Sequence, residues 1–474
     1  MDSQTVKNFI DNYWGSSIIP GLAEFIRIPA KSPSYDADWE VNRNLESAAT
    51  FLASWAEAQN IPGLTAEVLR LKGRTPLLYI EIPGYSKDTV LFYAHLDKMP
   101  EADGWDEDLG PWKAVLKNNR LYGRGSVDDG YALFSFIGAI KFLETYKIPH
   151  ARAVLIIEAS EESGSYDLEA YLQSLHKRIG QPNLINCLDV GCGDYERLWC
   201  ATSLRGVVEG TLKVDMLERS VHSGIASGIV ASSFRVLRML LDRIEDSSNG
   251  KVLLKSCSVN IPNEVKQQAK TLAEFLGPKV YSHYPLLKGV EPVSEHIDEL
   301  ILNKTWRSTL SVIGAEGLPQ VKDSATVLRP STTLQISLRI PPGAKGKEVW
   351  DELAQVLTAK PPYGAKVSFT SPTIMTGWHA PHMHAWLQDT LQQASENYFG
   401  NAPMYYGEGG SIGVITMLQE QYPQAQFVLS GAAGPNSGEH GPNESLYLPA
   451  AKKLTCCLVE MLAAHGARHG TKNI

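Results

Sequence analysis

Two short apolar runs on either side of a long apolar helix pattern constrain the fold of this chain more than any other feature. Residues 90–94 (VLFYA) and 153–157 (AVLII) have the length and the branched or aromatic content of buried strands. Residues 131–146 between them (YALFSFIGAIKFLETY) are apolar at helical spacing. A strand, a helix and a second strand in this order indicate parallel strands joined by a crossover helix. We therefore predict an α/β fold with a mostly parallel sheet and helices on both faces.

The pattern changes near Gly206, where segments of β type become frequent. Two predicted strands (207–214 and 332–340) and two predicted helices (231–245 and 347–357) follow. Such a mixture indicates an α+β unit with its own sheet.

The length of 474 residues exceeds what one hydrophobic core usually organises, so we expect two domains. Helix and strand patterns of the first kind return from about His379. We therefore predict a catalytic domain of residues 1–205 and 380–474, interrupted by a lid or dimerisation domain of residues 206–379.

Composition narrows the functional class. The formal net charge of -8, without a cluster of lysine and arginine, argues against nucleic-acid binding. No run approaches the roughly 20 apolar residues that a membrane span needs, and the first 30 residues do not resemble a signal peptide. Six cysteines without a C-x-x-C pair or a disulfide rhythm indicate reduced thiols. We expect a cytoplasmic protein with no nucleic-acid or membrane partner.

Polar residues cluster where the predicted strands end, which is the edge at which α/β sheets bind ligands. His95 and Asp97 follow the first strand directly, and Glu161 and Glu162 follow the second. Asp128 lies just before the crossover helix. Each cluster alone also has a simpler interpretation, namely a surface pair, a solvated helix start or a helix cap.

Asp194 and His440 add a carboxylate and an imidazole in glycine-rich, turn-prone surroundings. Together the histidines and carboxylates suit a hydrolytic centre in which two metals share a carboxylate and activate a water molecule. Mixed nitrogen and oxygen ligands are typical of Zn²⁺, and Mn²⁺ or Co²⁺ would also be tolerated.

The motifs, taken in chain order, identify a family. The segments HLD, W-x-x-DLGPW, LYGRGSVDDG, EESGS, LRG, HSG and H-x-P-NE resemble the M20 metallopeptidases, especially the branch of carnosinases and cytosolic non-specific dipeptidases. The resemblance covers nearly the whole chain. It implies a two-metal hydrolase that cleaves the amide bond of dipeptides or of similar amino-acid amides.

The resemblance also implies a set of metal ligands. His95 and Glu162 resemble terminal ligands, and Asp128 resembles the bridging carboxylate. Asp194 and His440 resemble the remaining terminal ligands on the two ions.

Two further roles follow from the resemblance near the metals. Glu161 resembles the general base, and Asp97 resembles the carboxylate that orients His95. The peptide bond between Asp128 and Asp129 is expected to be cis.

Four residues of the predicted insert and of the later glycine-rich segment resemble substrate-side groups. His222 resembles a histidine that stabilises the oxyanion in the partner's site, which implies a homodimer. Arg339 and Thr326 resemble residues that hold the substrate, and the arginine fork suits a terminal carboxylate. Ser411 resembles a serine that contacts substrate.

Four positions depart from the family pattern. Gly130–Tyr131 stands where relatives commonly have Lys-Gly, and Gly407 and Gly413 stand where Arg and Pro are frequent. Substrate selection near residues 408–411 therefore stays open. An N-acyl-amino-acid deacylase and a carboxypeptidase using the same site are the alternatives.

Two other classes of function are also consistent with parts of the sequence. Residues 409–413 satisfy G-x-S-x-G, so Ser411 could be the nucleophile of a serine hydrolase with His440 as base. Against this, that serine should lie earlier, with an acid and then a histidine after it. A binding protein without activity could use the same fold, although the proposed ligands and Glu161 are all present.

Overall fold

The computed structural model describes residues 1–468, and the chain forms two compact units. Within the described residues, the first unit contains 1–201, 380–405 and 417–468, and the second contains Thr202–His379 and Tyr406–Thr416. The sequence did not predict that the short segment Tyr406–Thr416 groups with the second unit.

Helices and strands are numbered in chain order. The α-helices are α1 Ser3–Tyr13, α2 Ile19–Arg27, α3 Trp39–Asn42, α4 Asn44–Ala58, α5 Tyr131–Thr145, α6 Leu168–Ile179, α7 Ser223–Ala226, α8 Ser233–Leu241, α9 Asn263–Leu276, α10 Lys279–Ser282, α11 Ile297–Thr305, α12 Gly346–Thr358, α13 Ala385–Phe399, α14 Gly413–Gln421 and α15 Leu448–Ala467. The strands are β1 Thr65–Leu69, β2 Leu77–Ile82, β3 Thr89–His95, β4 Val115–Lys117, β5 Arg120–Tyr122, β6 Arg152–Glu158, β7 Leu184–Cys187, β8 Trp199–Leu204, β9 Gly206–Asp215, β10 Val221–His222, β11 Glu245–Asp246, β12 Lys251–Val252, β13 Thr309–Glu316, β14 Val327–Leu328, β15 Ser331–Ile340, β16 Lys366–Met375, β17 Trp378–His379, β18 Met404–Glu408, β19 Gln426–Leu429 and β20 Ser445–Tyr447.

A central sheet organises the first unit. Its strands follow the order β1-β2-β6-β3-β7-β19, and β8 joins β19 at Ala201. The inner strands β6, β3, β7 and β19 are parallel, whereas β1 and β2 pair antiparallel at one edge. The predicted α/β fold with a mostly parallel sheet is confirmed.

Helix α5 is the crossover helix that the sequence predicts, and it ends one residue earlier. Twelve of its fifteen residues are buried, so nearly the whole surface of the helix is covered by other parts of the protein. It packs against β3, α1 and α15 within the main core of the first unit. Because α5 follows the Asp128 loop directly, its packing fixes where that loop begins and ends.

The second unit is built on an antiparallel sheet in the order β13-β15-β9-β16. Helices α8 and α12 pack on this sheet and enclose an apolar core with Val208, Ile336 and Leu353. Helix α8 ends at Leu241, four residues before its predicted end, because the chain turns there into the β11–β12 hairpin.

A small three-stranded sheet, β20-β5-β4, joins distant parts of the first unit. Strand β5 leads into the loop that carries Asp128, and the loop that carries His440 leads into β20. The two strands pair antiparallel, with Ser445 opposite Tyr122. This pairing brings two loops together that lie more than 300 residues apart in sequence.

Within residues 1–468, every helix is too short or too polar to span a bilayer.

Candidate metal centre

Three neighbouring parallel strands deliver polar residues to one edge of the central sheet. His95 is the last residue of β3, Glu161 and Glu162 form a turn just after β6, and Asp189 follows β7. The order β6-β3-β7 makes these segments neighbours. The carboxyl edge of the parallel sheet is therefore where the candidate ligands gather.

The first group of candidate ligands consists of His95, Asp128 and Asp189, whose ligand atoms all lie within 4.8 Å of one another. His95 Nε2 lies 3.1 Å from Asp128 Oδ1 and 3.8 Å from Asp189 Oδ1. One nitrogen and two carboxylate oxygens thus face a common point.

The second group consists of Asp128, Glu162 and His440. His440 Nε2 lies 3.0 Å from Asp128 Oδ2 and 3.3 Å from Glu162 Oε2. Asp128 belongs to both groups and turns one oxygen toward each. Its geometry is that of a carboxylate able to bridge two ions.

The ring of His95 is oriented by a backbone carbonyl. Its Nδ1 lies 3.0 Å from the carbonyl oxygen of Asp97 and 3.6 Å from Asp97 Oδ1. A proton on Nδ1 donated to that carbonyl leaves the lone pair of Nε2 facing the carboxylates, which is the arrangement of a metal-binding imidazole.

The carboxylate of Asp97 lies beside the His95 ring and also has backbone partners. Its two oxygens accept hydrogen bonds from the backbone N–H groups of Glu161, at 3.1 Å, and Glu162, at 3.0 Å. Asp97 therefore fixes the turn that carries both glutamates, while its own backbone carbonyl contacts His95.

Glu161 lies beside the ligand groups and belongs to neither of them. Its desolvation, and the charges of Asp189 and Glu158, raise the pKa of the Glu161 carboxyl well above its usual range. A proton-accepting group next to the candidate ligands is what a general base requires.

The charge of the site fits divalent cations. Even with both imidazoles protonated, the carboxylates of Asp128, Asp189, Glu161 and Glu162 leave an excess of negative charge. Burial, together with the charge of Asp128, raises the pKa of Glu162 to about 11. Side chains that are only 5–15% exposed at Glu162, Asp128 and Asp189 have little water to solvate such charge. Bound cations would supply the compensation, and the mixed nitrogen and oxygen donors suit zinc.

A buried ion pair holds the Asp128 and His440 loops together, and the sequence analysis missed it. Arg124 and Glu444 are each 1% exposed and lie 2.7 Å apart. Glu444 also accepts hydrogen bonds from the N–H groups of Gly125, Val127 and Asp128. Arg124 in turn donates hydrogen bonds to the backbone carbonyls of His440 and Gly441 in the other loop. Arg124 lies in the motif LYGRGSVDDG and Glu444 in the motif H-x-P-NE. Only the folded structure shows that the two side chains form a pair.

The prediction of Asp194 as a metal ligand is not supported by the structure. Its carboxylate accepts hydrogen bonds from Glu196 N and Trp199 Nε1, both at 3.0 Å, and lies near Arg197. Asp189 occupies the place expected for it. The distance from the strand end could have identified Asp189 in the sequence. Asp189 is two residues past the end of β7, whereas Asp194 is seven residues past it.

The backbone at Asp128 agrees with the expectation from the family pattern. The Asp128–Asp129 peptide bond is cis.

The structure places the predicted substrate-side residues in the second unit, in two pairs. His222 and Thr326 are adjacent, since His222 pairs with Val327 in the β10–β14 ladder and Ser223 N donates to Thr326 O. Both side chains are exposed. Arg339 donates a 2.9 Å hydrogen bond from Nη1 to Ser411 Oγ.

Among residues 1–468, the contacts of Ser411 and His440 are not those of a serine hydrolase. The Ser411 hydroxyl pairs with the Arg339 guanidinium, and the Nε2 atom of His440 faces Asp128 and Glu162. A nucleophilic serine would instead need an imidazole within hydrogen-bonding distance.

Comparison with known proteins agrees with this geometry. The model of peptidase family M20/M25/M40 matches residues 91–464, which is well over half of the chain. The chain therefore belongs to this family and is a metallopeptidase, as predicted.

Individual relatives have low sequence identity to this chain, but their similarity extends over most of its length. A cysteinylglycine-S-conjugate dipeptidase of Corynebacterium striatum is 25% identical over 405 residues, covering 82% of this chain and 84% of the relative. A beta-Ala-His dipeptidase of Homo sapiens is 26% identical over 408 residues, covering 80% and 76% respectively. A solved dipeptidase structure from Saccharomyces cerevisiae matches with a TM-score of 0.77 at 20% identity and covers 98% of both chains, which shows a shared fold.

The contrast between Asp189 and Asp194 gives a direct test of the ligand set. We expect Asp189→Asn to weaken the binding of one of two ions by at least about 10–100-fold, the loss typical even of outer-shell partners. Asp194→Asn should keep both ions, because an amide oxygen can still accept the bonds that Asp194 accepts now. Elemental analysis after dialysis against a weak chelator measures the metal content. Loss of metal from the Asp194 variant alone would reverse the assignment.

Proposed function

We propose that this metallopeptidase uses two metal ions to hydrolyse the amide bond of dipeptides or of closely related amino-acid amides. The observation that carries the proposal is the sharing of Asp128 between two ligand groups, with the carboxyl of Glu161 beside them. The names of the relatives, which include a cysteinylglycine-conjugate dipeptidase and a beta-Ala-His dipeptidase, support the substrate class.

Five residues would hold the ions: His95 and Asp189 on one, Glu162 and His440 on the other, and Asp128 on both. When bound, the ions would polarise the substrate carbonyl and lower the pKa of the attacking water. The donor set favours zinc, with manganese or cobalt as alternatives.

Proton transfer is assigned to Glu161. The two adjacent glutamates in the turn after β6 have different positions. Glu162 belongs to the second ligand group, whereas Glu161 belongs to neither group. Glu161 accepts a proton from the water as the new C–O bond forms. It then returns this proton to the amine nitrogen as the C–N bond breaks.

His222 is assigned to the oxyanion. Its Nδ1 accepts a hydrogen bond of 3.1 Å from Gly224 N. Because Nδ1 is an acceptor, the neutral ring carries its proton on Nε2, which is then a hydrogen-bond donor. A donor of this kind stabilises negative charge on a carbonyl oxygen.

Substrate binding is assigned to Arg339, Ser411 and Thr326. The hydrogen bond from Arg339 to Ser411 holds the guanidinium in a fixed orientation, and its fork suits the terminal carboxylate of a dipeptide.

A homodimer is part of the proposal, and the second unit carries the surface that supports it. Strand β13 is the edge of the antiparallel sheet, and its residues Val312 and Ile313 are 50% and 57% exposed. An open edge with apolar side chains is a ready place for pairing with a second copy. Ile225 and Ile229, just beyond His222 in the chain, are also apolar and are 76% and 85% exposed.

A cytoplasmic location is also proposed. All six cysteines lie within the described residues and are free thiols, which suits a reducing compartment.

The division of labour between the adjacent glutamates is testable. We expect Glu161→Gln to retain both ions while turnover falls by about 10²–10⁴-fold, because only the proton acceptor is removed. Glu162→Gln should lose metal from one site. Metal analysis and turnover measured on the same preparations separate the two effects. Equal metal loss in both variants would contradict the assignment.

The substrate class is tested with a panel assayed after adding back single metals. We expect dipeptides with a free carboxylate to be cleaved faster than N-acyl amino acids or longer peptides. A chelator should abolish the activity, and a serine-directed reagent should leave it intact. Preference for N-acyl amino acids would favour the deacylase alternative, and release of C-terminal residues from long peptides would favour the carboxypeptidase.

The dimer and the role of His222 in the partner's site are tested by mixing two inactive variants, His222→Ala and Glu161→Gln. Loss of an oxyanion donor typically costs about 10²–10³ in turnover. If His222 serves the partner, a mixed dimer carries one doubly defective site and one intact site, so activity returns toward half per mixed dimer.

The same mixture distinguishes the opposite arrangement. If His222 serves its own chain, each site keeps one defect and no activity returns. Subunit exchange is verified with differently tagged chains, and exchange without recovery would refute the arrangement.

A further inference from the structure

Tyr131 is the buried residue at which the chain departs from the family pattern, three positions after Asp128. It begins α5, and its side chain is 0% exposed. An aromatic ring so near the ligands, where the family commonly has glycine, needs a structural reason.

The phenol of Tyr131 joins two other segments of the first unit. Its hydroxyl donates a 2.7 Å hydrogen bond to the carbonyl of Leu188 and accepts a 2.9 Å bond from the N–H of Ala432. Leu188 immediately precedes Asp189 in the chain. The hydroxyl therefore acts on the backbone next to a candidate metal ligand.

The two segments need this link because the regular ladder between them has ended. Strands β7 and β19 pair up to Cys187 and Leu429, and Ser430 N still donates to Cys187 O. Beyond that point the segments are joined by two isolated bridges, Asp189 with Gly431 and Gly191 with Ala433, and by a hydrogen bond of 2.7 Å from Cys192 N to Ala433 O.

The groups that Tyr131 satisfies have no access to water. Leu188 and Ala432 are each 1% exposed. A buried carbonyl and a buried N–H left without partners would destabilise this arrangement of the backbone. The tyrosine hydroxyl takes the place of the next backbone hydrogen bond between the two segments. It thereby fixes the backbone of residues 188–190.

We propose that Tyr131 is a positioning residue that sets the metal affinity of the first ligand group by fixing the backbone of Asp189. The inference rests on the proposed two-metal function. It assigns Tyr131 no contact with substrate. Tyr131 connects the start of α5, which follows the Asp128 loop, to the Asp189 segment, so that two ligands of the same group are held by one side chain.

The test is the variant Tyr131→Phe, which removes the hydroxyl and keeps the ring that packs in the core. Zn²⁺ is titrated into metal-depleted protein in competition with a chromophoric chelator. We expect the affinity of one of the two sites to fall about 10–100-fold, as for other outer-shell partners, and the other to stay unchanged.

Tyr171→Phe is the matched control. The Tyr171 hydroxyl is also buried, donates 2.7 Å to Thr75 O and accepts 3.0 Å from Leu71 N, but it serves segments away from the metal centre. Its removal should lower the melting temperature comparably and leave both zinc affinities unchanged.

A double variant separates positioning from general destabilisation. If Tyr131 acts through Asp189, adding Tyr131→Phe to Asp189→Asn should cause no further loss of affinity. In the unmodified protein, the Ala432 amide should exchange its hydrogen slowly, a measurement that does not depend on any variant folding.

Several results would overturn the inference: unchanged affinities in Tyr131→Phe, equal loss at both sites, the same loss in Tyr171→Phe, additive loss in the double variant, or rapid exchange at Ala432. Failure of the proposed function is distinct. An unmodified protein that binds two Zn²⁺ ions and cleaves no dipeptide would refute the function, while the titration would still decide the role of Tyr131.

Discussion

Repulsion among carboxylates at the edge of the central sheet is the constraint on which the first unit depends. Asp128, Asp189 and Glu162 present oxygens to the two imidazoles from side chains that are 5–15% exposed. Isolated charges in such surroundings are costly, and the raised pKa of Glu162 reflects that cost. A chain that keeps these groups together must hold them rigidly. Cations then provide the compensation that the protein itself lacks.

The rigidity comes from backbone contacts made by residues around the ligands. Asp97 accepts hydrogen bonds from the turn that carries Glu161 and Glu162. The Arg124–Glu444 ion pair connects the loop of Asp128 to the loop of His440. A buried ion pair is weak support for stability as such. Here its value is geometric, because each partner also bonds the backbone of the opposite loop. The positions of Asp128 and His440 therefore depend in part on two residues that belong to neither ligand group.

The sequence predicted the parts of this arrangement that depend on local patterns. The strand–helix–strand run from residue 90 to residue 157 predicted the parallel sheet, and the ends of β3 and β6 predicted where His95 and the two glutamates lie. Long-range pairing was beyond that reasoning. Glu444 and Arg124 are 320 positions apart, and only the β5–β20 pairing makes them neighbours. The sequence analysis named Asp194, whereas the structure brings Asp189, two residues past the end of β7, to the ligand groups.

The departure from the family pattern at Gly407 has a structural cause within the second unit. A Cβ atom there would lie 2.8 Å from Ser203 Oγ and 2.9 Å from Thr305 Cβ, closer than side-chain carbons approach other atoms. At position 407, strand β18 thus packs too tightly against its neighbours to carry a side chain. At Gly413 a Cβ would meet Met375 at 3.7 Å, an ordinary contact, so that position is not restricted in the same way. The missing arginine is therefore explained by packing.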